Sequence, residues 1–288
     1  MMGAMSTGLA QHVASRVFGC GPRTVVAVHC SLAHSGAWRG LATILEEQVM
    51  VSSFDMLSHG RSPDWDGEGL LQLRNAEAGL ALIEAENLAK DGPIDLIGHS
   101  FGATVVLAMA QMRPDLVRSL VMVEPVFFSL VSAAETTDPE ALEALRRDHM
   151  TVRETYLNGD VEHATRLFNR AWGAGHPKWN DLPESARDAM VRSFPAVMAC
   201  DTQVYEDMLG VLTPEKLARV TMPCLLIDGG KSQPIMHEVI RALAARLPDV
   251  TCRRIDSAGH MLPITHPAET AALLQGFWPE VIPAPAEV

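Results

Sequence analysis

The chain has 288 residues, 48% of them apolar, enough for one large core, and its formal net charge is -12. That acidity excludes a nucleic-acid backbone or an anionic membrane surface as partner, because both would be repelled. Five cysteines (Cys20, Cys30, Cys200, Cys224, Cys252) lack C-x-x-C spacing, which excludes a zinc ribbon or a disulfide framework and predicts reduced thiols, with Cys224 and Cys252 in the core.

The first residues have no basic start followed by an apolar run, and no stretch reaches about 18 apolar residues, so the sequence predicts a cytoplasmic protein without a membrane span. In chain order, residues 24–29 (TVVAVH) read as a strand ending in the polar turn HCSLAHSGAW. A helix over 41–48, a strand over 49–54 ending in DMLSHGRS, and a helix over 68–89 follow. The short run 94–97 stops at Gly98-His99-Ser100-Phe101-Gly102, and 103–110, uncharged on every face, reads as a buried helix. A further buried strand, 116–123, ends at Glu124-Pro125.

Over residues 127–220 the strand signal disappears. Asp138-Pro139 and Asp160 read as helix starts, and Ala164, Leu167, Phe168 and Ala171 share one helical face. Residues 173–183 break the pattern, and 184–201 is helical with Pro195 predicting a kink or break. Strand-type sequence resumes at 224–228 and 250–255, separated by a helix over 235–247, and Pro267 opens the last helix. The interleaving predicts one α/β domain built from 1–126 and 221–288, interrupted by a helical insertion at 127–220.

The chemistry is concentrated at Ser100. A strand that reverses into a helix within a few residues strains the residue at the turn, and Gly98 and Gly102 let the neighbouring backbone approach without a Cβ clash. The serine Oγ is then presented at the carboxyl end of the sheet, and the N–H of Phe101, opening the helix, is free to meet a developing negative charge. The bare G-x-S-x-G pattern arises by chance in about one chain in ten of this length, so the strand before it and the helix after it carry the inference. A serine hydroxyl needs a base to become a nucleophile, and His260, on the small-residue loop Asp256-Ser257-Ala258-Gly259-His260 before the final helix, is suited to that task.

Three motifs in order, HCSLAHSGAW, GHSFG and AGH, resemble the α/β-hydrolase superfamily, and the resemblance covers roughly residues 20–280. It implies an α/β-hydrolase fold, a mostly parallel central sheet flanked by helices, with 127–220 as a helical cap inserted after the sixth-type strand of the family's order. It further implies Ser100 as nucleophile, His260 as general base, and an oxyanion hole from the N–H groups of Ser31 and Phe101. Two positions depart from the family pattern: Cys30 stands where a glycine is usual, and Ser58 replaces a glycine in the turn after Asp55. Asp55 is read as structural, His29 as orienting its loop, and His99 as a packed or hydrogen-bonded partner pointing away from Ser100. His34 and His59 lie near the same loops, and Trp179, Phe168 and the insertion's methionines are candidates for pocket walls or core.

The acid is the open position. The family usually carries it as G-x-x-D after the strand following the cap, and here that segment is Gly229-Gly230-Lys231-Ser232. Glu124, directly after the strand beside the elbow strand and resembling family members that carry their acid there, is the expected acid; Asp228, closer to the usual position, is its rival, and a two-residue arrangement is the third reading. The expected activity is hydrolysis of a small carboxylic ester or lactone through an acyl-enzyme, with no cofactor and no metal. Carbon-carbon hydrolase or lyase chemistry, and a ligand-binding receptor that retains the triad, stay open on the same fold, as does assembly into a homo-oligomer.

Overall fold

The strands of this chain are short apolar runs that must be covered on both faces, and helices before and after each strand supply the cover. The computed structural model describes residues 13–132, 136–173 and 177–278. In chain order the sheet elements of the first half are β1 (Ser15–Phe18), β2 (Arg23–Val28), β3 (Val49–Phe54), β4 (Ile94–His99) and β5 (Val117–Val123). The helices between them are α1 (Arg39–Ile44), α2 (Leu71–Ala85) and α3 (Phe101–Met112). After β5 come five helices, α4 (Pro139–Leu157), α5 (Val161–Trp172), α6 (Glu184–Ala199), α7 (Asp201–Tyr205) and α8 (Pro214–Leu217). The chain then returns to the sheet with β6 (Cys224–Gly229), α9 (Ile235–Ala244) and β7 (Val250–Ile255), and ends on α10 (Leu262–Thr265) and α11 (Pro267–Phe277).

The seven strands of the described residues lie in the order β1-β3-β2-β4-β5-β6-β7. Only the β1–β3 pairing is antiparallel. Period-two alternation divides the core into two layers. Val26, Val28, Leu96, Leu120, Met122 and Leu226 pack with α2, α3 and α9, whereas Val25, Ala27, Ile97, Val121, Leu225 and Ile227 pack with α1 and α11. This is the α/β-hydrolase architecture that the sequence implied, with α4 to α8 inserted between β5 and β6.

Several local expectations are corrected. β1 carries no clear sequence signal because it is four residues long, mostly half-exposed, and paired only to β3. Cys224 is buried as expected, but Cys252 is exposed, since it lies on the edge strand β7 where residues 252–254 face outward. Of the kink or break expected at Pro195, the break does not occur: α6 continues as helix through it. The proline forfeits one helical hydrogen bond, and the neighbouring Phe194, fully buried, and Ala196 hold the helix by packing.

The insertion is fastened to loops at the carboxyl ends of the strands. Arg192 on α6 donates to the carbonyls of Gly60 (3.0 Å) and Ser62 (2.9 Å), and Ser193 Oγ donates to that of Ser58 (2.8 Å). Gln233, just before α9, donates to the carbonyl of Ala171 on α5 at 2.9 Å. At the amino end of β4 the buried Asp95 is held by Arg23 (2.8 Å), Arg118 and Ser119 Oγ (2.6 Å), so that carboxylate serves the sheet and not the site.

Candidate active site

β4 ends in its glycine-flanked serine because nothing bulkier fits there. A Cβ on Gly98 would strike the Gly102 carbonyl and the Ala103 Cα, and one on Gly102 would strike the carbonyls of Val28 and His29. Ser100 takes φ 57° and ψ -119°, a conformation costing a non-glycine residue about 1–3 kcal/mol and held by the surrounding packing. Its own N–H donates to the Val123 carbonyl at 2.9 Å, so the elbow is also pinned to β5.

Three predicted residues meet in one buried row. Ser100 Oγ lies 3.0 Å from His260 Nε2, and His260 Nδ1 lies 2.9 Å from Glu124 Oε2. Ser100, His260 and Glu124 are 7%, 4% and 0% exposed, so the row is buried throughout. Glu124 sits one residue beyond β5 with φ 48°, outside strand alternation, and its N–H donates to the Ile227 carbonyl at 2.8 Å. Besides His260, its carboxylate accepts from Gly229 N–H (2.6 Å) and Ser232 Oγ (2.7 Å). Ser232, at the position where the family usually has its acid, thus hydrogen-bonds the carboxylate that sits elsewhere.

Asp228, the competing acid, is turned away. Its carboxylate accepts from His237 Nδ1 on α9 (2.6 Å) and from Arg254 Nη2 on β7 (2.7 Å). His99, as anticipated, does not bond Ser100; its Nε2–H donates to the His260 carbonyl at 2.8 Å, fixing the backbone that carries the imidazole.

The loop after β2 is held by His29, whose Nδ1–H donates to the Cys30 carbonyl (2.8 Å) while its Nε2 accepts from Met56 N–H (3.0 Å). Burial, with the nearby His59, pushes His29 down to about 3, which keeps it neutral as that bonding requires. Burial likewise raises the Cys30 thiol to about 12, so it stays protonated beside the serine. Cys30 does not adopt a left-handed backbone; that conformation falls on Leu32 (φ 64°), which is how a side chain is tolerated where the family has glycine. Ser58 does occupy a left-handed position (φ 64°), and its Oγ accepts from Trp65 N–H at 2.9 Å, a local bond that makes serine acceptable there. Asp55 is structural: it accepts from Ser35 N–H (2.7 Å) and Arg61 N–H (2.8 Å). Burial would raise Asp55, but those bonds outweigh it and hold the carboxyl below its usual range.

Ser100 and His260 open into a cavity of about 560 Å³ that Ser31, Phe101 and His34 line from the core and α4 to α7 close from the other side. Of the anticipated wall candidates, Phe168, Met190 and Met198 line it, whereas Trp179 is buried elsewhere. Sequence reasoning did not find Trp172, Tyr205, His149 or Asp201, all cavity-lining residues of the insertion. They belong to no motif, and only their convergence in space marks them.

A family model described as the alpha/beta hydrolase family matches residues 25–273. The chain belongs to the alpha/beta hydrolase family. A pimeloyl-[acyl-carrier protein] methyl ester esterase of Methylococcus capsulatus is 30% identical, over 90% of this chain and 95% of that protein. Lipase LipV of Mycobacterium tuberculosis is 29% identical, over 88% of this chain and 93% of the lipase. Among solved structures, a hydrolase from Oleispira antarctica superposes with a TM-score of 0.71 over 94% of this chain and 96% of its own, at 18% identity, a likeness of fold. No helix among the described residues is long and apolar enough to cross a membrane.

Proposed function

We propose that this member of the family is a serine hydrolase that cleaves a small carboxylic ester or lactone through an acyl-enzyme. The observation that carries the reading is the hydrogen-bonded row Ser100–His260–Glu124 opening into a cavity. Relatives named as a lipase and a methyl ester esterase favour esters over other bonds.

In the proposed reaction Ser100 Oγ attacks the substrate carbonyl while its proton passes to His260 Nε2. The imidazolium so formed is met by the Glu124 carboxylate across Nδ1–H, and Gly229 N–H and Ser232 Oγ keep that carboxylate aimed. The tetrahedral oxyanion is received by the N–H groups of Phe101, in the first turn of α3 where no intrahelical acceptor is available, and of Ser31. His260 then protonates the departing alkoxide, leaving the acyl group on Ser100. A water deprotonated by His260 attacks that ester in turn, the acid departs, and the proton returns to Ser100. The helices of 127–220 act as a cap that closes the cavity and selects the substrate, consistent with the bonds that tie α6 to the loop over Ser58 and Gly60.

A neutral p-nitrophenyl organophosphonate is expected to label Ser100, seen as a mass increment on its peptide, and Ser100→Ala is expected to lose labelling and to lower kcat on short p-nitrophenyl esters by about 10⁵–10⁶. An adduct on Cys30, or hydrolysis that survives Ser100→Ala, would overturn the assignment.

A further inference from the structure

On a reading that rests on Ser100 as nucleophile, we propose that the insertion-side wall of the cavity is a subsite for a cationic group, so that the substrate is an ester or lactone bearing an ammonium or quaternary ammonium. The first support is the charge distribution. Among the described residues lining the cavity, the carboxylic acids are the exposed Asp148 and the half-buried Asp201, and no lysine or arginine lines it. His149 Nε2 lies 3.4 Å from Asp201 Oδ2, but burial, with help from Arg153, lowers its pKa, so at neutral pH it does not neutralise that carboxylate. Arg153 Nε stands 3.8 Å from the same oxygen, yet its side chain is 48% exposed and outside the cavity, where water screens it.

The second support is a continuous run of aromatic rings between the reacting groups and that carboxylate. His260 and Trp172 have ring centroids 4.8 Å apart, Trp172 and Phe128 5.7 Å, Phe128 and Tyr205 5.1 Å, and Tyr205 and His149 4.2 Å. All of these rings line the cavity. An aromatic ring attracts a cation through its quadrupole, and the half-buried Asp201 carboxylate at the end of such a strip supplies the counter-charge. An anionic tail would meet repulsion there, and a plain alkyl tail would cover part of the Asp201 carboxylate without pairing its charge.

The state of Asp201 agrees. Burial raises it to about 6, partly opposed by Arg153, which describes a carboxylate whose charge the protein leaves under-compensated and which a bound cation would stabilise. The groups facing it are His149, Asp148 and Arg153 from α4 and Tyr205 from α7, and the Tyr205 phenol is pushed up by burial and by the two aspartates, so it stays protonated. Cation preference is therefore full while Asp201 is ionised and is lost as pH falls through about 6.

The test uses isosteric ester pairs that differ only in N⁺ against C. One pair is butyrylcholine and 3,3-dimethylbutyl butyrate, and a second carries the trimethylammonium or tert-butyl end on the acyl side of a p-nitrophenyl ester. In wild type kcat/KM is expected to favour the cation about tenfold or more in at least one pair. Asp201→Asn should reduce that ratio about tenfold, and the wild-type ratio should decline as pH drops through about 6, the neutral ester dividing out any pH dependence common to both esters. Tetramethylammonium should also slow labelling of wild-type Ser100 by a neutral organophosphonate, a readout that stands even if Asp201→Asn does not fold. A ratio near one in both pairs, a ratio untouched by Asp201→Asn, or labelling indifferent to tetramethylammonium overturns the subsite. Where Ser100 is still labelled and neutral esters still turn over, that result leaves the hydrolase reading standing; where neither occurs, the hydrolase reading falls and the subsite with it.

Discussion

The carboxyl ends of β5 and β6 each carry a buried acid, and the two acids have opposite fates. Asp228 is still inside β6, so strand alternation directs it to the face of Cys224 and Leu226, where α9 packs. There its cross-strand partner in the register is Arg254, and the two join with His237 into an ion-paired cluster. Glu124 lies one residue past the end of β5, and its left-handed backbone (φ 48°) releases it from alternation and turns it toward the loop of His260. Equal burial therefore says little about role; what separates the two carboxylates is which donors reach them.

The largest expected consequence of that contrast is kinetic. Glu124→Gln keeps the shape but removes the charge facing His260, and kcat is expected to fall by about 10²–10⁴, with the fold intact by circular dichroism. Asp228→Asn measured beside it should stay within about threefold of wild type. A reversal of those two outcomes would assign the acid to β6.

A sharper version moves the acid. Because Ser232 Oγ already lies 2.7 Å from the Glu124 carboxylate, adding Ser232→Asp to Glu124→Gln places a carboxylate on the usual family loop. Recovery of about tenfold or more in kcat over Glu124→Gln alone is expected, and no recovery would mean that the loop cannot orient an acid toward His260. The smallest effect is on stability. Asp228→Asn should cost about 1–2 kcal/mol in urea unfolding, less than a fully buried pair, because Arg254 and His237 are partly exposed and can regain water.

Much of the architecture was legible because it follows from local rules. Short strand-type runs marked six of the seven strands of the described chain, and the missing one, β1, is short, half-exposed and held by a single partner. Pro195 does not break its helix for a related reason: the cost of one lost helical bond is local, whereas the burial of Phe194 that offsets it is tertiary. Cys252 sits in a strand-like run, but whether a strand position is buried depends on the sheet's order, and β7 falls at the edge.

The sequence by itself marked the elbow, because the backbone conformation and close approach it needs leave few residue types suitable, and the histidine loop by its small residues between the last strand and the last helix. It favoured Glu124 as the acid but kept Asp228 as a rival, since both stand at the carboxyl ends of neighbouring strands in similar settings. The tertiary structure alone decided how the carboxylates are distributed, because a charge-assisted hydrogen bond depends on a few tenths of an ångström between elements more than a hundred residues apart, as between His260 and Glu124. The same holds for the cavity wall: Trp172, Tyr205, His149 and Asp201 come from three separate helices, and no spacing in the chain foretells that their side chains converge.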